Sequence, residues 1–392
     1  KTEVYFKVIE SLLSAGKQIL VMLPEIMLSE QWIMRFKSHF GCVPLEWHSR
    51  VTPKKKRQIF QHIYDGKPCV VVGARSSLLL PFQNLGLIVV DEEHDSSYKQ
   101  EEKVIYNARD AGVYLAKLNA CPVVLASATP SLETYYNAVS QRYHHLKLKS
   151  RYGEQSLAKV HIIDQRTHDP MIKKSYITDQ LARVAQQALD RQEQVLFFVN
   201  KRGFSPLTLC RACGYRFECK SCSGWLIHHQ KTNKLHCHHC HYQEPYPMYC
   251  PSCGTLDQLV GCGPGVEKVY EESIALFPNA RHLVISSDLM ESHAKRQAAI
   301  ERILSQEIDI MIGTQMMAKG HHFPHLTTIG LIDGDMGLSG MDLRACEKTF
   351  QMLTQVSGRA GRESLKGAVY LQTYNPDHPV IQAVQNHDRD AF

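Results

Sequence analysis

Eight of the thirteen cysteines fall between Cys210 and Cys253, in four pairs of identical spacing: Cys210-x-x-Cys213, Cys219-x-x-Cys222, Cys237-x-x-Cys240 and Cys250-x-x-Cys253. Such a pair turns two thiolates toward one tetrahedral ion, so four pairs fit two Zn²⁺ sites. The stretch WLIHHQKTNKLH between Cys222 and Cys237 alternates well enough for a hairpin, which would bring the Cys219/Cys222 turn to the Cys237/Cys240 turn. That leaves Cys210/Cys213 to meet Cys250/Cys253, a nested arrangement. Disulfides would need an oxidising compartment that nothing else in the sequence supports, and paired ribbon spacing favours zinc over an iron–sulfur cluster. His236, His238, His239 and His241 crowd Cys237, but with eight thiolates at hand they read as exposed ribbon residues.

The flanking sequence has a different design. A composition of 44% hydrophobic and 21% charged residues over 392 positions is that of a globular chain with length for two or three domains. No run approaches the roughly eighteen apolar residues of a membrane span and no signal peptide opens the chain, so the cytoplasm is the default expectation. A net charge of +6 permits a nucleic-acid partner without requiring one. Short apolar runs alternate with helical stretches: QILVMLP, PCVVVGAR, LGLIVVDEEH and CPVVLASATP before the cysteines, QVLFFVNKRG, HLVISSD, DIMIGTQ, LTTIGLIDGD and GAVYLQTY around and after them. This predicts an α/β fold of two parallel-sheet lobes, meeting near the polar stretch SRYGEQSLAK at residue 150, with the cysteine insertion in the second lobe. Ligands in such sheets bind beyond the carboxyl ends of the strands.

At those ends the residues suit phosphoryl chemistry. DEEH follows the run LGLIVV, a Walker B arrangement in which Asp91 would ligate Mg²⁺, directly or through water, and Glu92 would orient and deprotonate an attacking water. SATP ends the next strand, placing the Ser127 and Thr129 hydroxyls beside the carboxylates. QVSGRAGR supplies Gln355, Arg359 and Arg362, the arginines three apart on what reads as a turn of helix, as an arginine-finger pair that forks onto phosphate oxygens. Lys1-Thr2 runs straight into the amphipathic EVYFKVIESLLSAG, as the end of a P-loop would, though the preceding glycines are absent.

Lys1-Thr2, DEEH, SATP and QVSGRAGR in this order resemble the superfamily 2 helicases over almost the whole chain. VMLPEI, GARSSLLLPF, DEEHDSSYKQ, SATPSLET, NKRGFSP, the cysteine insertion and GTQMMAKGHHFP narrow the resemblance to the replication-restart helicases. It implies RecA-like lobes: lobe 1 over 1–150, lobe 2 over 151–208 and 255–380, the zinc-binding insertion over 209–254, and the start of a further domain at 381–392. It further implies an ATP-dependent 3′-to-5′ DNA helicase that recognises and unwinds stalled replication forks and promotes primosome assembly, using ATP, Mg²⁺ and two Zn²⁺. Lys1, Thr2, Asp91, Glu92, Arg359 and Arg362 would form the ATPase set, with His94, Ser127, Thr129 and Gln355 coupling it to movement and His94 also near the nucleotide. DNA would face Pro24-Glu25, Arg75 with Ser76, Arg202 and Gly203, and Gly313-Thr314-Gln315 to Lys319, hydroxyls, amides and basic groups suited to phosphates rather than base edges. The implied partners are single-stranded and forked DNA, primosome proteins and single-stranded DNA-binding protein, with no membrane, for a monomer in the cytoplasm associated with the nucleoid.

The chain departs from the family pattern at three places. After DEEHDSSYKQ relatives carry an aromatic-rich loop with a Trp, whereas here only Tyr98 and Tyr106 offer rings. Val266 in GPGVEKV stands where Thr is usual. A DNA-binding region before the P-loop and a domain after HPVIQAVQ are expected and lie outside this sequence. Two rival readings stay open at this level: an ATP-driven duplex translocase that does not separate strands, and a zinc-ribbon assembly platform with a vestigial ATPase.

Overall fold

Strands that are apolar at every position need cover on both faces, and that requirement sets the architecture. The computed structural model describes residues 1–24, 30–148, 157–167, 175–199, 207–210, 212–222, 224–229, 232–237, 239–256, 258–262, 265–285, 293–314, 323–338, 342–361, 366–390 and 392. They divide into two units, Lys1–Lys147 and Leu148–Phe392.

The first unit runs α1 (Thr2–Ser14), β1 (Gln18–Met22), α2 (Glu30–Phe40), β2 (Leu45–Trp47), α3 (Pro53–Tyr64), β3 (Cys69–Gly73), β4 (Leu85–Asp91), a short antiparallel pair β5 (Lys99–Gln100) and β6 (Tyr106–Asn107), α4 (Ala108–Leu118), β7 (Val123–Ala126) and α5 (Leu132–Val139). Its sheet has the order β2-β3-β1-β4-β7 with every pair parallel. Alternate residues of the central strands feed two cores. Ile19, Val21, Val70, Leu87 and Val89 pack against Tyr5, Phe6 and Ile9 of α1 and Trp32 and Phe36 of α2. Leu20, Met22, Val71, Ile88 and Val90 pack with Ile59 and Ile63 of α3 and Ala108 and Ala116 of α4.

The second unit runs β8 (Lys159–Asp164), α6 (Asp179–Asp190), β9 (Gln194–Phe198), then β10 (Leu207–Cys210), β11 (Leu226–His229), β12 (Lys234–Cys237), β13 (Gln243–Pro245) and β14 (Leu259–Cys262) of the insertion. It continues through α7 (Val266–Leu276), β15 (His282–Ile285), α8 (His293–Leu304), β16 (Ile310–Gly313), β17 (Leu326–Leu331), a helix over Ala345–Ser357, β18 (Ala368–Thr373) and a final helix over Pro379–Gln385. The sheet order is β15-β16-β9-β17-β18-β8, again all parallel. Each apolar run singled out in the sequence is a strand. β2 and β8 were not foreseen, because both lie at sheet edges and are only partly buried, so their sequences VPLEW and AKVHIID lack a continuous apolar run. Among the described residues no helix is long and apolar enough to cross a membrane.

The two units share a device at their central strands. Gln18, fully buried at the start of β1, donates from Nε2 to the carbonyls of Ile63 (2.8 Å) and Lys67 (3.2 Å) and accepts at Oε1 from the backbone N–H groups of Gln83 (2.9 Å) and Asn84 (3.0 Å). Gln194, at the start of β9, donates to the carbonyls of Ile303 and Ile308, both at 2.8 Å. In each unit a buried amide thus fastens the end of a helix to the strand that begins beside it. Gln18→Leu keeps the volume but takes a partner from four backbone groups, of which the Ile63 carbonyl keeps the Gly66 N–H, so we expect it to destabilise the first unit by about 3 kcal/mol, read as a lowered urea midpoint with unchanged slope.

Candidate nucleotide site and metal-binding ribbon

β4 is buried along its whole length and ends on Asp91, which places a carboxylate at the mouth of an apolar sheet. Burial pushes the Asp91 pKa up, and the Lys1 ammonium, 3.8 Å from Oδ1, opposes that shift. Hydrogen bonds favour the ionised form as well: Oδ2 accepts from the Tyr5 hydroxyl at 3.0 Å and Oδ1 from the Glu92 N–H at 2.9 Å. Tyr5 in turn accepts from the Trp32 indole N–H at 2.9 Å, so α1 and α2 both fix the carboxylate. Tyr98, buried below, shares its hydroxyl between the carbonyls of Asp91 (2.7 Å) and Met22 (3.0 Å) and ties β4 to β1.

Beyond Asp91 the chain turns sharply. Glu92 takes a left-handed backbone conformation (φ 49°), uncommon for a residue with a side chain, and its Oε1 accepts from Lys1 Nζ at 2.6 Å. His94 Nδ1 lies 2.7 Å from Ser127 Oγ and 3.6 Å from Glu92 Oε2. Burial lowers the His94 pKa, so the neutral ring exchanges one hydrogen bond with the Ser127 hydroxyl, which also accepts from the Thr129 N–H at 2.9 Å.

The first unit therefore gathers Lys1, Asp91, Glu92, His94 and Ser127, with Thr2 as the first residue of α1 beside Lys1. An ammonium at a helix N-terminus suits phosphate oxygens, and a carboxylate with a neighbouring hydroxyl suits a hard divalent ion. The donor set fits a nucleotide with Mg²⁺. Three residues were not anticipated as part of this arrangement: Tyr5, Trp32 and Tyr98. For Tyr5 and Trp32 the signal was the aromatic content of α1 and α2, which reads equally well as ordinary core; Tyr98 stands in the turn after β4.

Gln355 lies in the second unit, on the helix Ala345–Ser357, which Gly358 caps. Arg359 follows in a turn, its N–H bonded to the Val356 carbonyl at 2.9 Å. The expected helical turn carrying both arginines is thus corrected: the helix stops before Arg359, where glycines intervene and Gly361 adopts a left-handed φ of 61°. Arg362 lies outside the described residues.

The residues expected to face DNA fare variously. Arg75 donates to the Lys99 carbonyl at 2.6 Å in a short 3₁₀ turn that also holds Ser76. Pro24 follows β1, and Gly313 and the buried Thr314 close β16. Glu25, Arg202, Gly203 and the stretch 315–319 are outside the described residues. The buried Tyr98 ring has no face to offer a base. Val266 is fully buried at the start of α7, so core packing accounts for the apolar residue there.

In the insertion the hairpin β11–β12 brings the inner cysteine turns together, and the antiparallel neck β10–β14 brings the outer ones together. The ligand atoms of Cys210, Cys213, Cys250 and Cys253 all lie within 4.8 Å of one another, as do those of Cys219, Cys222, Cys237 and Cys240. Sulfur separations are 3.7 Å for Cys210–Cys253 and Cys213–Cys250, 3.4 Å for Cys219–Cys240 and 3.5 Å for Cys222–Cys237. A tetrahedron with metal–sulfur bonds of about 2.3 Å has edges of about 3.8 Å. Disulfide sulfurs sit at about 2.05 Å, so these thiols are spaced for zinc and not for each other. The Ser221 and Ser252 N–H groups donate to the Cys219 and Cys250 sulfurs, each at 3.4 Å.

Little else holds the ribbon: Phe217, Leu226 and Leu235 form its core with Tyr242, Tyr246 and Leu259 beside them. His236 stacks on His229 with ring centroids 4.2 Å apart, His239 and His241 are exposed, and His238 is outside the described residues. The ribbon is fastened to the second unit's sheet by Arg216, which pairs with the buried Asp335 at 3.3 Å and lies over the Trp225 ring.

Comparison with known proteins agrees with this geometry. Residues 1–138 match the DEAD/DEAH box helicase family, and residues 219–245 match the PriA DNA helicase Cys-rich region (CRR) domain. The replication restart protein PriA of Rickettsia felis is 49% identical over the whole chain, and that of Bacillus subtilis is 40% identical. Over its whole length the chain is similar to these replication restart proteins. It spans 60% of the Rickettsia felis PriA and 49% of the Bacillus subtilis one. The fold is also that of the DUF1998 helicase MrfA bound to DNA, at a TM-score of 0.52 and 12% identity, covering 97% of this chain and 42% of that one. The two parallel-sheet units are RecA-like and the cysteine spacing of the insertion is that of a zinc ribbon.

The ribbon's small core gives a direct test. We expect elemental analysis to find about two zinc ions per chain, and Cys219→Ser to lower that content and disorder the ribbon while the two α/β units keep their far-UV signal.

Proposed function

We propose that this chain is the motor segment of an ATP-dependent DNA helicase for replication restart, translocating 3′ to 5′ on single-stranded DNA, unwinding stalled forks and promoting primosome assembly. The observation that carries the reading is the turn after β4, where Asp91 and Glu92 meet Lys1 while His94 meets Ser127. Lys1 would neutralise the terminal phosphates, Thr2 and Asp91 would hold Mg²⁺, and Glu92 would take the proton of the attacking water. The bound ion would offset the charge that develops on the phosphate oxygens. Arg359 and Arg362 would serve as transition-state cations, completing the ATPase set, and Gln355 would couple hydrolysis to movement.

The domain reading is lobe 1 over 1–150, lobe 2 over 151–208 and 255–380, and the zinc insertion over 209–254. Single-stranded and forked DNA, primosome proteins and single-stranded DNA-binding protein are the proposed partners of a cytoplasmic, nucleoid-associated monomer. Pro24-Glu25, Arg75 with Ser76, Arg202 and Gly203, and the stretch 313–319 are proposed to track the DNA backbone, and the ribbon is proposed to support the fork or receive loading partners. The printed names of the PriA relatives, replication restart proteins, support this assignment.

The test uses the full-length protein that carries this segment. Wild type should hydrolyse ATP in response to single-stranded DNA and displace a strand from a forked duplex. Glu92→Gln should still bind ATP but lose hydrolysis by about 10²–10⁴-fold, because the amide can orient water but cannot accept its proton. Unchanged turnover in that variant would remove Glu92 from the mechanism.

A further inference from the structure

Glu92 and His94 serve the nucleotide side of the turn, but the residue between them does something else. Glu93 is wholly buried. Its carboxylate collects four donors: Oε1 accepts from the Ser131 N–H at 2.7 Å, and Oε2 from Ser131 Oγ at 3.0 Å, Thr134 Oγ1 at 2.9 Å and Arg109 Nη1 at 3.3 Å. Its backbone N–H reaches the Ala126 carbonyl at 3.2 Å. Ala126 immediately precedes the SATP segment and Ser131 immediately follows it, as the N-cap of α5. One residue therefore holds the segment at both ends, with its main chain at one and its side chain at the other.

Arg109 is the countercharge of this anchor. Its side chain is 7% exposed, and it bonds Asp110 through Nε at 2.7 Å and Ser131 Oγ through Nη1, in addition to Glu93. An ionised carboxylate with no countercharge would be costly there, and the guanidinium is always protonated.

We propose that Glu93 and Arg109 are positioning residues that fix the SATP segment relative to the turn after β4, so that the His94–Ser127 hydrogen bond transmits the state of the nucleotide site into α5. This deepens the function proposed above and rests on it. A change at His94 can move Ser127 in a defined way only if the segment's ends are stationary. With both ends held by Glu93, a displacement of Ser127 is concentrated in the four residues between the anchors and bears directly on the N-cap of α5. If the anchor is loosened, the segment drifts as a whole and the signal is lost, while Lys1, Asp91 and Glu92 stay where they are.

Glu93→Gln tests this because the substitution is nearly isosteric. One oxygen remains to accept from the Ser131 N–H, and the new amide N–H₂ can donate to the two hydroxyls, but it opposes the Arg109 guanidinium. In full-length protein, the ratio of DNA-stimulated to DNA-free ATP turnover should fall about tenfold, the size of a typical coupling between sites. The ATP concentration for half-maximal rate should move by less than about twofold, since no group touching nucleotide has changed. Combining Glu93→Gln with Ser127→Ala should produce no further fall in the ratio beyond Ser127→Ala alone, as expected for residues acting through one element.

Thr134→Val, which deletes a single donor at constant volume, covers the case in which Glu93→Gln does not fold, and should lower the ratio in the same direction. An unchanged ratio in whichever of the two variants folds overturns the proposal. So does a fall that is fully additive with Ser127→Ala, or a loss in which both turnovers drop equally as thermal stability drops, which is what a purely structural role would give. Wild-type protein without DNA-stimulated turnover would instead overturn the helicase reading itself, and the positioning role with it.

Discussion

A carboxylate at the end of a strand buried along its whole length must be compensated within hydrogen-bond reach, or it gives up its charge. In the first unit that need is met by groups from several elements: the Tyr5 hydroxyl on α1, itself held by Trp32 on α2, the N–H of Glu92, and the Lys1 ammonium ahead of α1. Tyr98 adds a clamp from below, joining the Asp91 carbonyl to β1. The side chains that pack the face of the sheet are thus also the ones that aim the carboxylate. Phe6, Trp32 and Phe36 form edge-on and stacked pairs with centroids 5.4–5.8 Å apart, so the tilt of α1 and α2, and with it the position of Tyr5, is set by ring geometry.

The second unit solves a related problem differently. Asp333 and Asp335 follow β17 within two residues of each other, and burial together with the Asp335 charge pushes the Asp333 carboxyl up to about 6. Asp335 is satisfied by Thr373 Oγ1 and the Tyr374 N–H, both at 2.6 Å, by Asn375 at 3.1 Å, and by Arg216 from the ribbon. The ribbon supplies a charge that the sheet needs, and the sheet supplies an attachment that the ribbon's thin apolar core could not. Within the ribbon, metal coordination takes the place of hydrophobic burial, as is usual for modules too small to bury much surface.

What could be read from the sequence was whatever is local along the chain. The interior strands declare themselves as continuous apolar runs, and the cysteine turns as fixed spacings. Asp91, Glu92 and His94 sit within four consecutive residues, so their proximity needed no fold. β2 and β8 escaped because an edge strand is apolar on too few positions. The Arg109–Glu93–Ser131 cluster escaped for another reason: its members lie in three elements separated by long stretches, and DEEH gives no sign that its third residue faces inward. Tyr98 is one of only two rings the sequence offers near this loop, and its hydroxyl is spent on two carbonyls, a fact available only once β1 and β4 are side by side. The three-residue spacing of Arg359 and Arg362 reads as a turn of helix, whereas the backbone at Arg359 follows the glycines beside it.

The position of the ribbon within the second sheet bears on the order in which the unit is built. β9 lies at the centre of that sheet, yet both neighbours, β16 and β17, come later in the chain than the whole insertion. A newly made β9 must wait for partners across a long intervening segment, and closing a long loop carries an entropic cost that grows with its length. The cysteine turns, by contrast, close over two intervening residues and can capture an ion as soon as they emerge. Once they have done so, the paired neck of β10 and β14 sets the two ends of the insertion side by side, with Leu207 opposite Cys262. The loop left for the sheet to close is then far shorter than the sequence suggests. Zinc supply during synthesis would in this way govern how quickly the second lobe acquires its central strands, and a shortage would leave β9, apolar from Val195 to Phe198, unpaired and exposed to other chains.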